Sequence, residues 1–346
     1  MNHKTIYVKT TGTCNLDCSH CFTNGKTGDK TQFDPGNTAL WVQDFITTHG
    51  PDNHYHLEFH GGEPFLTPLW KLEQMAEAFV GRDNVSMCAN SNLTFRITDD
   101  LIEFIKKYFH SNIGTSWDHW IRWTTDKQRA LWKSNLELLS SHDIHIGLKV
   151  SVSKQLVDHS VDWFLDQMES FAVDEVSLER LTMDGNALQN TDVFPDNEAQ
   201  DNWYLELYKR YKARNGRVKI STLDTIEAKL KYGMVKVDTN CRNCEQNLVT
   251  INSDGSLGGC PNVATARNHA HLNDGVQEFL ISNGRLNEIA TELTWPDECI
   301  GCDVFDLCGG DCHRLPWKDG RCGGLKNTLR HMSGRSTDTN LILRVK

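Results

Sequence analysis

The sequence has no apolar stretch long enough to span a membrane, and its first residues, MNHKTIYVKTTGTCN, carry neither an apolar signal-peptide core nor a small-residue cleavage site. Membrane insertion and secretion are not expected; a reducing cytoplasm is. Nor is there a Lys/Arg-rich run of five, and 36 Lys and Arg stand against 46 Asp and Glu, for a formal charge of -10. Phosphate backbones need concentrated basic surface, so no nucleic-acid partner is expected. A fourth thiol is missing too. Cys14, Cys18 and Cys21 crowd into TGTCNLDCSHCF, and the next cysteine is Cys88.

What is present is cysteine in quantity. A chain of 346 residues buries enough core to fold without crosslinks, so its 12 cysteines in a reducing compartment read as metal ligands. Structural metal sites usually close their shell with four protein ligands, whereas three leave one position open to a substrate. The triplet therefore points to a catalyst more than to an electron carrier.

Short β-branched segments alternate with amphipathic stretches. Strands are expected at 4–10, 54–59, 84–89, 111–117, 144–152 and 174–181, with helices near 38–48, 67–80, 98–109, 125–140, 157–171 and 199–213. Thr67-Pro68 and Thr98-Asp99-Asp100 supply start signals. Six βα units with right-handed crossovers give a parallel sheet, either open and doubly wound or a partial barrel. Ligands bind at the carboxyl ends of the strands in both. The triplet follows the first strand and so falls at that end. Gly61-Gly62-Glu63-Pro64 follows the second, where two glycines let a ligand approach the backbone closely.

The remaining eight cysteines lie in the last third. Cys241-x2-Cys244 precedes a strand, an Asp254-Gly255 hairpin turn and a return strand towards Cys260. Then comes Cys299-x2-Cys302-x5-Cys308-x3-Cys312-x9-Cys322. The gap between the two C-x2-C pairs is far longer than the roughly 15–20 residues of a zinc ribbon, and four further cysteines would be left over.

The triplet followed by Gly61 to Pro64 resembles the radical S-adenosylmethionine (SAM) superfamily. That resemblance implies a four-iron cluster on Cys14, Cys18 and Cys21, whose open iron is chelated by the amino and carboxylate groups of SAM. It further implies a partial (β/α)6 barrel of parallel strands with a small C-terminal iron-sulfur domain. His20 matches the aromatic position beside the adenine. Gly61, Gly62, Glu63 and Pro64 match the methionine-binding motif, and Asn90 in ANSNL matches a ribose or methionine contact, although Ser91 and Asn92 depart from the pattern there. Ser116 and Asp118 in TSWDH resemble a Ser-x-Asp-Gly pattern, with His119 in place of glycine; Asp118 and the buried thiol Cys88 are the catalytic candidates.

The second cysteine group resembles the SPASM extension of that superfamily, with Gly255 and Cys260 as its first element. The resemblance implies one auxiliary four-iron cluster on Cys241, Cys244, Cys260 and Cys312 and another on Cys299, Cys302, Cys308 and Cys322, giving three clusters in all. It divides the chain into a barrel (1–215), a bridge (216–240) and a SPASM domain (241–346). The activity implied is modification of a peptide or protein side chain in ribosomal-peptide maturation, of an oxidative, crosslinking kind, with an electron donor such as flavodoxin or ferredoxin. Sulfatase maturases usually carry an aspartate after the cysteine matched by Cys260; Pro261 stands here, so that activity is not expected. Cys14 lies too near the first residue for a leading peptide-recognition domain, so a leader-binding module would be a separate chain. A small-metabolite radical enzyme is the alternative. A non-catalytic iron-sulfur module explains neither the open position nor Gly61 to Pro64.

Overall fold

The computed structural model describes residues 3–232, 241–318 and 320–335. Its first part alternates strand and helix: β1 (His3–Lys9), α1 (Pro35–His49), β2 (His54–His60), α2 (Leu69–Glu77), β3 (Val85–Ser91), α3 (Asp99–Tyr108), β4 (Asn112–Ser116), α4 (Asp126–Ser141) and β5 (His145–Val152). A short turn α5 (Lys154–Val157), α6 (Val161–Ser170), β6 (Glu175–Arg180), α7 (Asn197–Ala213), β7 (Lys219–Ile220) and α8 (Ser221–Tyr232) complete it. The cysteine-rich part adds α9 (Cys244–Asn247), β8 (Leu248–Ile251), β9 (Ser256–Gly258), β10 (Ala270–His271), α10 (Gly275–Ile281), α11 (Asn283–Glu292), α12 (Asp297–Ile300), α13 (Phe305–Cys308) and α14 (Lys326–Met332).

Local chemistry accounts for the helix starts. Thr98 caps α3 by accepting from Leu101 N, with Asp99 and Asp100 in the first turn and Lys106 and Lys107 in the last, as the helix dipole favours. Asp34 caps α1 with Pro35 in its first turn, and Thr125 and Gln128 form a capping box on α4. The helix expected over 157–171 begins later, at Val161, because Ser160 caps it there. Thr67 instead closes the turn Pro64–Leu66, leaving Pro68 to precede α2.

Among the described residues the ten strands form one sheet in the order β10-β9-β8-β1-β2-β3-β4-β5-β6-β7. Neighbours from β8 to β7 run parallel; only β8–β9 and β9–β10 are antiparallel. The expected hairpin at Asp254-Gly255 is β8–β9, with Gly255 at φ +87. β8 lies beside β1, so the sheet continues from the barrel into the cysteine-rich part without a break.

One face of each strand is apolar and packs under the helices: Ile6 and Val8, Leu57 and Phe59, Met87 and Ala89, Ile146, Leu148 and Val150 are all buried. The alternate positions are polar, among them Glu58, His60, Ser86, Cys88, Asn90, Lys149 and Ser151. In a flat sheet β2 and β5 would stand about 14 Å apart, three strand spacings. Yet Lys149 Nζ lies 2.8 Å from Glu58 Oε1. The sheet is therefore curled, its polar face turned inward, and the doubly wound alternative is replaced by a partial barrel with a polar lumen. Among the described residues no helix is long and apolar enough to cross a membrane.

Candidate active site

The loop after β1 carries the triplet, and the strand ends around it hold it in place. Gly62 N donates to Thr11 O (2.9 Å) and Glu63 N to Thr13 O (3.0 Å), so the glycine segment runs alongside the cysteine loop. Added Cβ atoms at Gly61 and Gly62 would lie 2.2 and 2.1 Å from the Thr11 and Thr13 carbonyl oxygens, and Gly61 has φ +136. The close approach that these glycines permit is thus made by the chain's own backbone. On the other side Ser19 N donates to Ile121 O (3.1 Å), Asn186 N to Cys21 O (2.8 Å) and Asn186 Nδ2 to Cys18 O (3.1 Å).

Three sulfurs result, each with its own environment. Cys14 Sγ accepts from Leu16 N (3.3 Å) and Asn92 Nδ2 (3.4 Å), Cys21 Sγ accepts from Thr23 N (3.4 Å), and Cys18 is buried against Arg122. Burial pushes the Cys14 and Cys18 thiols up to about 11 and about 12. Both are protonated in the metal-free chain, so metal binding there releases protons.

Glu63 is turned onto the end of β3. Its buried carboxylate accepts from Ser91 Oγ (2.8 Å), Asn92 N (2.8 Å) and Phe65 N (3.3 Å), and burial still pushes it up to about 7. Asn90 Oδ1 is buried with no partner among the described residues, and Ser116 is buried at the end of β4. Asp118, also buried, accepts from Arg122 Nε (2.7 Å) and Ser151 N (2.7 Å) and lies 3.2 Å from His20 Nε2. Burial opposes its ionisation, but Arg122 and then His20 override it and hold the carboxyl well below the usual range. Asp118 is a fully engaged anchor and not a free base. His20 Nδ1 is buried with no partner among the described residues.

Beneath the triplet, Tyr7, Glu58 and Cys88 are register neighbours across β1, β2 and β3. Burial raises Cys88 to about 11 and lowers His60 to about 4, so both are neutral at physiological pH. His60 Nδ1 accepts from Gly61 N (2.8 Å).

The C-terminal cysteines fall into two neighbourhoods. Cys299, Cys302, Cys308, Cys312 and Cys322 line a cavity of about 390 Å³, and the sulfurs of Cys308 and Cys322 both lie close to Gly324. Cys260 has Cys312 as an electrostatic neighbour. The side chain of Cys241 lies outside the described residues. Among them no three His, Cys, Asp or Glu side chains close on a point tightly enough for a single metal ion. A polynuclear cluster spaces its thiolates farther apart, and the donor set around the cavity fits one. Arg180 clamps Asp311 through two contacts of 2.6 Å, tying the end of β6 to this region.

Sequence reasoning missed Asn92, Arg122, Asn186 and Lys9. Ser91 holds Glu63 through its hydroxyl and Asn92 through its backbone N–H.

No family model matches the chain, and no curated protein matches it in sequence. Solved structures do. Native anSMEcpe with bound AdoMet and Cp18Cys peptide superposes with a TM-score of 0.74 at 18% identity, covering 95% of each chain. The Streptococcus suis SuiB bound to its precursor peptide SuiA gives 0.63 at 12%, over 90% of this chain and 72% of that one; SuiB bound to S-adenosylmethionine gives 0.66 at 13%, over 90% and 73%. The three-cysteine loop at the mouth of a curled parallel sheet, the sheet's extension into a cysteine-rich segment and these superpositions agree: the chain has the fold of the SPASM-type radical SAM enzymes.

Proposed function

We propose that this chain is a radical SAM enzyme that modifies a side chain of a peptide or protein, oxidatively and of the crosslinking kind. The observation that carries it is the convergence of Cys14, Cys18 and Cys21 with Asn92, Gly62 and Glu63 at one end of a polar lumen. Cys14, Cys18 and Cys21 would hold a four-iron cluster, which would supply the electron for reductive cleavage of SAM. The protein's own part is to hold and orient. His20, fixed by Asp118, would lie beside the adenine; Gly61, Gly62, Pro64, Asn90 and Ser116 would line the SAM site, and Glu63 would secure it from behind. Glu58, Lys149 and Cys88 line the lumen where a substrate side chain would be presented.

The two auxiliary sets, Cys241, Cys244, Cys260 and Cys312, and Cys299, Cys302, Cys308 and Cys322, would hold clusters able to accept an electron from an oxidised substrate. The barrel, bridge and SPASM divisions at 215 and 240 belong to the same proposal, as do a reducing cytoplasm, a flavodoxin- or ferredoxin-type donor and a separate leader-binding chain. The carbonyl after Cys260 belongs to Pro261 and accepts from Lys9, so no base stands where sulfatase maturases carry one. That favours a crosslink over formylglycine formation.

The test is anaerobic reconstitution followed by reductant and SAM. About twelve irons per chain and 5'-deoxyadenosine are expected. Cys14→Ala, Cys18→Ala or Cys21→Ala should abolish cleavage, while Cys322→Ala retains some of it and loses peptide product. A peptide lighter by two mass units supports the crosslink. Wild-type cleavage by a triplet variant, or formylglycine in a sulfatase peptide, overturns the corresponding assignment.

A further inference from the structure

Strand β1 ends on Lys9, which is 3% exposed. Its ammonium donates to Pro261 O (2.9 Å) and Thr265 Oγ1 (2.9 Å), and Nζ sits 5.7 Å from the centre of the Phe22 ring. Phe22 directly follows Cys21, and Pro261 directly follows Cys260. One side chain therefore touches the residue after the last triplet cysteine and the residue after the first cysteine of the hairpin region, parts of the chain about 240 residues apart.

A strut between two loops needs only hydrogen bonds, and a neutral side chain makes those. A buried ammonium is a costlier choice, since a charge taken out of water requires a counter-charge nearby. Among the described residues no carboxylate lies within ion-pair distance of Lys9; its direct partners are a carbonyl and a hydroxyl. Each of its contacts at Phe22 and Pro261 lies one residue from a cysteine, Cys21 and Cys260, whose sulfurs become negative when they ligate a cluster; Asp254 is a further acidic neighbour.

Resting on the function proposed above, we propose that Lys9 is the shared counter-charge of the two cysteine loops, raising the reduction potential of the clusters held by Cys21 and by Cys260. No bond is made or broken. One-electron reduction adds a negative charge to a cluster, and a nearby ammonium would stabilise the reduced form relative to the oxidised one; burial lowers Lys9 to about 8, which leaves it charged at pH 7. The same residue thereby favours electron entry at the triplet and electron acceptance at the Cys260 side.

The experiment uses the full chain, reconstituted anaerobically, as wild type, Lys9→Arg, Lys9→Met and Lys9→Gln. Iron and sulfide are counted, and each cluster is followed by electron paramagnetic resonance during a redox titration. Lys9→Met with full iron should show both potentials shifted downward, and Lys9→Arg should match wild type. Loss of iron in Lys9→Met and Lys9→Gln but not in Lys9→Arg would equally support a role for the charge. Unchanged potentials in a fully loaded Lys9→Met, or iron loss in Lys9→Arg as well, would overturn the inference alone and leave Lys9 a strut. A wild type with no iron-sulfur signal would overturn the proposed function and this inference with it.

Discussion

The ammonium of Lys149 and the carboxylate of Glu58 meet at 2.8 Å across the barrel, from β5 to β2. Burial opposes the ionisation of Glu58, but Lys149 overrides it and keeps the carboxyl below its ordinary value. Lys149→Met should therefore destabilise the protein by leaving this carboxylate unpaired in the lumen. A fully buried broken pair costs about 3–5 kcal/mol, but Lys149 keeps 34% of its side-chain surface accessible, so about 2 kcal/mol is expected. Urea unfolding of Lys149→Met beside the double variant Lys149→Met/Glu58→Gln checks this; the double variant should recover much of the loss.

Asp118→Asn should be more severe. Both Asp118 and Arg122 are largely enclosed, and asparagine returns only one acceptor oxygen to Arg122, His20 and Ser151, so about 3–5 kcal/mol is expected. Because the folded carboxyl titrates far below its unfolded value, its contribution is fully present above about pH 4 and lost only as the pH falls further. The gap between wild type and variant in urea should accordingly be flat from pH 5 to pH 8.

Glu63 gives the opposite sign. Its folded value of about 7 exceeds the ordinary 4.5, so the folded state holds the proton more tightly and the residue's contribution shrinks as pH rises between those values. Glu63→Gln does not titrate. The stability of wild type minus that of Glu63→Gln should fall by up to about 3 kcal/mol from pH 4.5 to pH 7. Melting temperatures across that range are the measurement, and a difference that grows with pH would refute it.

Gly62→Ala should displace the loop it abuts, since a methyl group there would lie 2.1 Å from Thr13 O, a backbone atom that cannot swing aside. If three clusters are bound as proposed, the expected result is loss of about a third of the iron, the C-terminal cysteines keeping theirs. Iron analysis of the anaerobic variant decides it.

The strand and helix order was legible because each unit announces itself locally: alternation in HYHLEF, a cap at Thr98, a hairpin turn at Asp254-Gly255. The triplet was legible because its spacing is contiguous. Asn92, Arg122 and Asn186 were not, for they act on the cysteine loop from afar; Asn92 bonds Asn15 77 positions back and Asn186 bonds Cys18 at 168. Periodicity carries no trace of such contacts. The departures at Ser91 and Asn92 were the available signal, because the Ser91 hydroxyl donates to the buried Glu63 and the Asn92 side-chain amide donates to Cys14 and Asn15. The two-residue strands β7 and β10 were too short to leave a pattern.

β1 sits in the middle of the sheet with β2 on one side and β8 on the other, and Lys4 bonds Gln246 O and Asn247 Oδ1 at separations of 242 and 243 residues. During synthesis β1 leaves the ribosome long before β8, so one of its edges stays unpaired until the cysteine-rich part has followed. Closing so long a loop is slow, and an unpaired parallel edge invites pairing with other chains meanwhile. A fragment ending near residue 232 would carry that edge permanently, so the barrel half should aggregate when expressed alone, because only the cysteine-rich segment supplies the strand that covers this edge of β1.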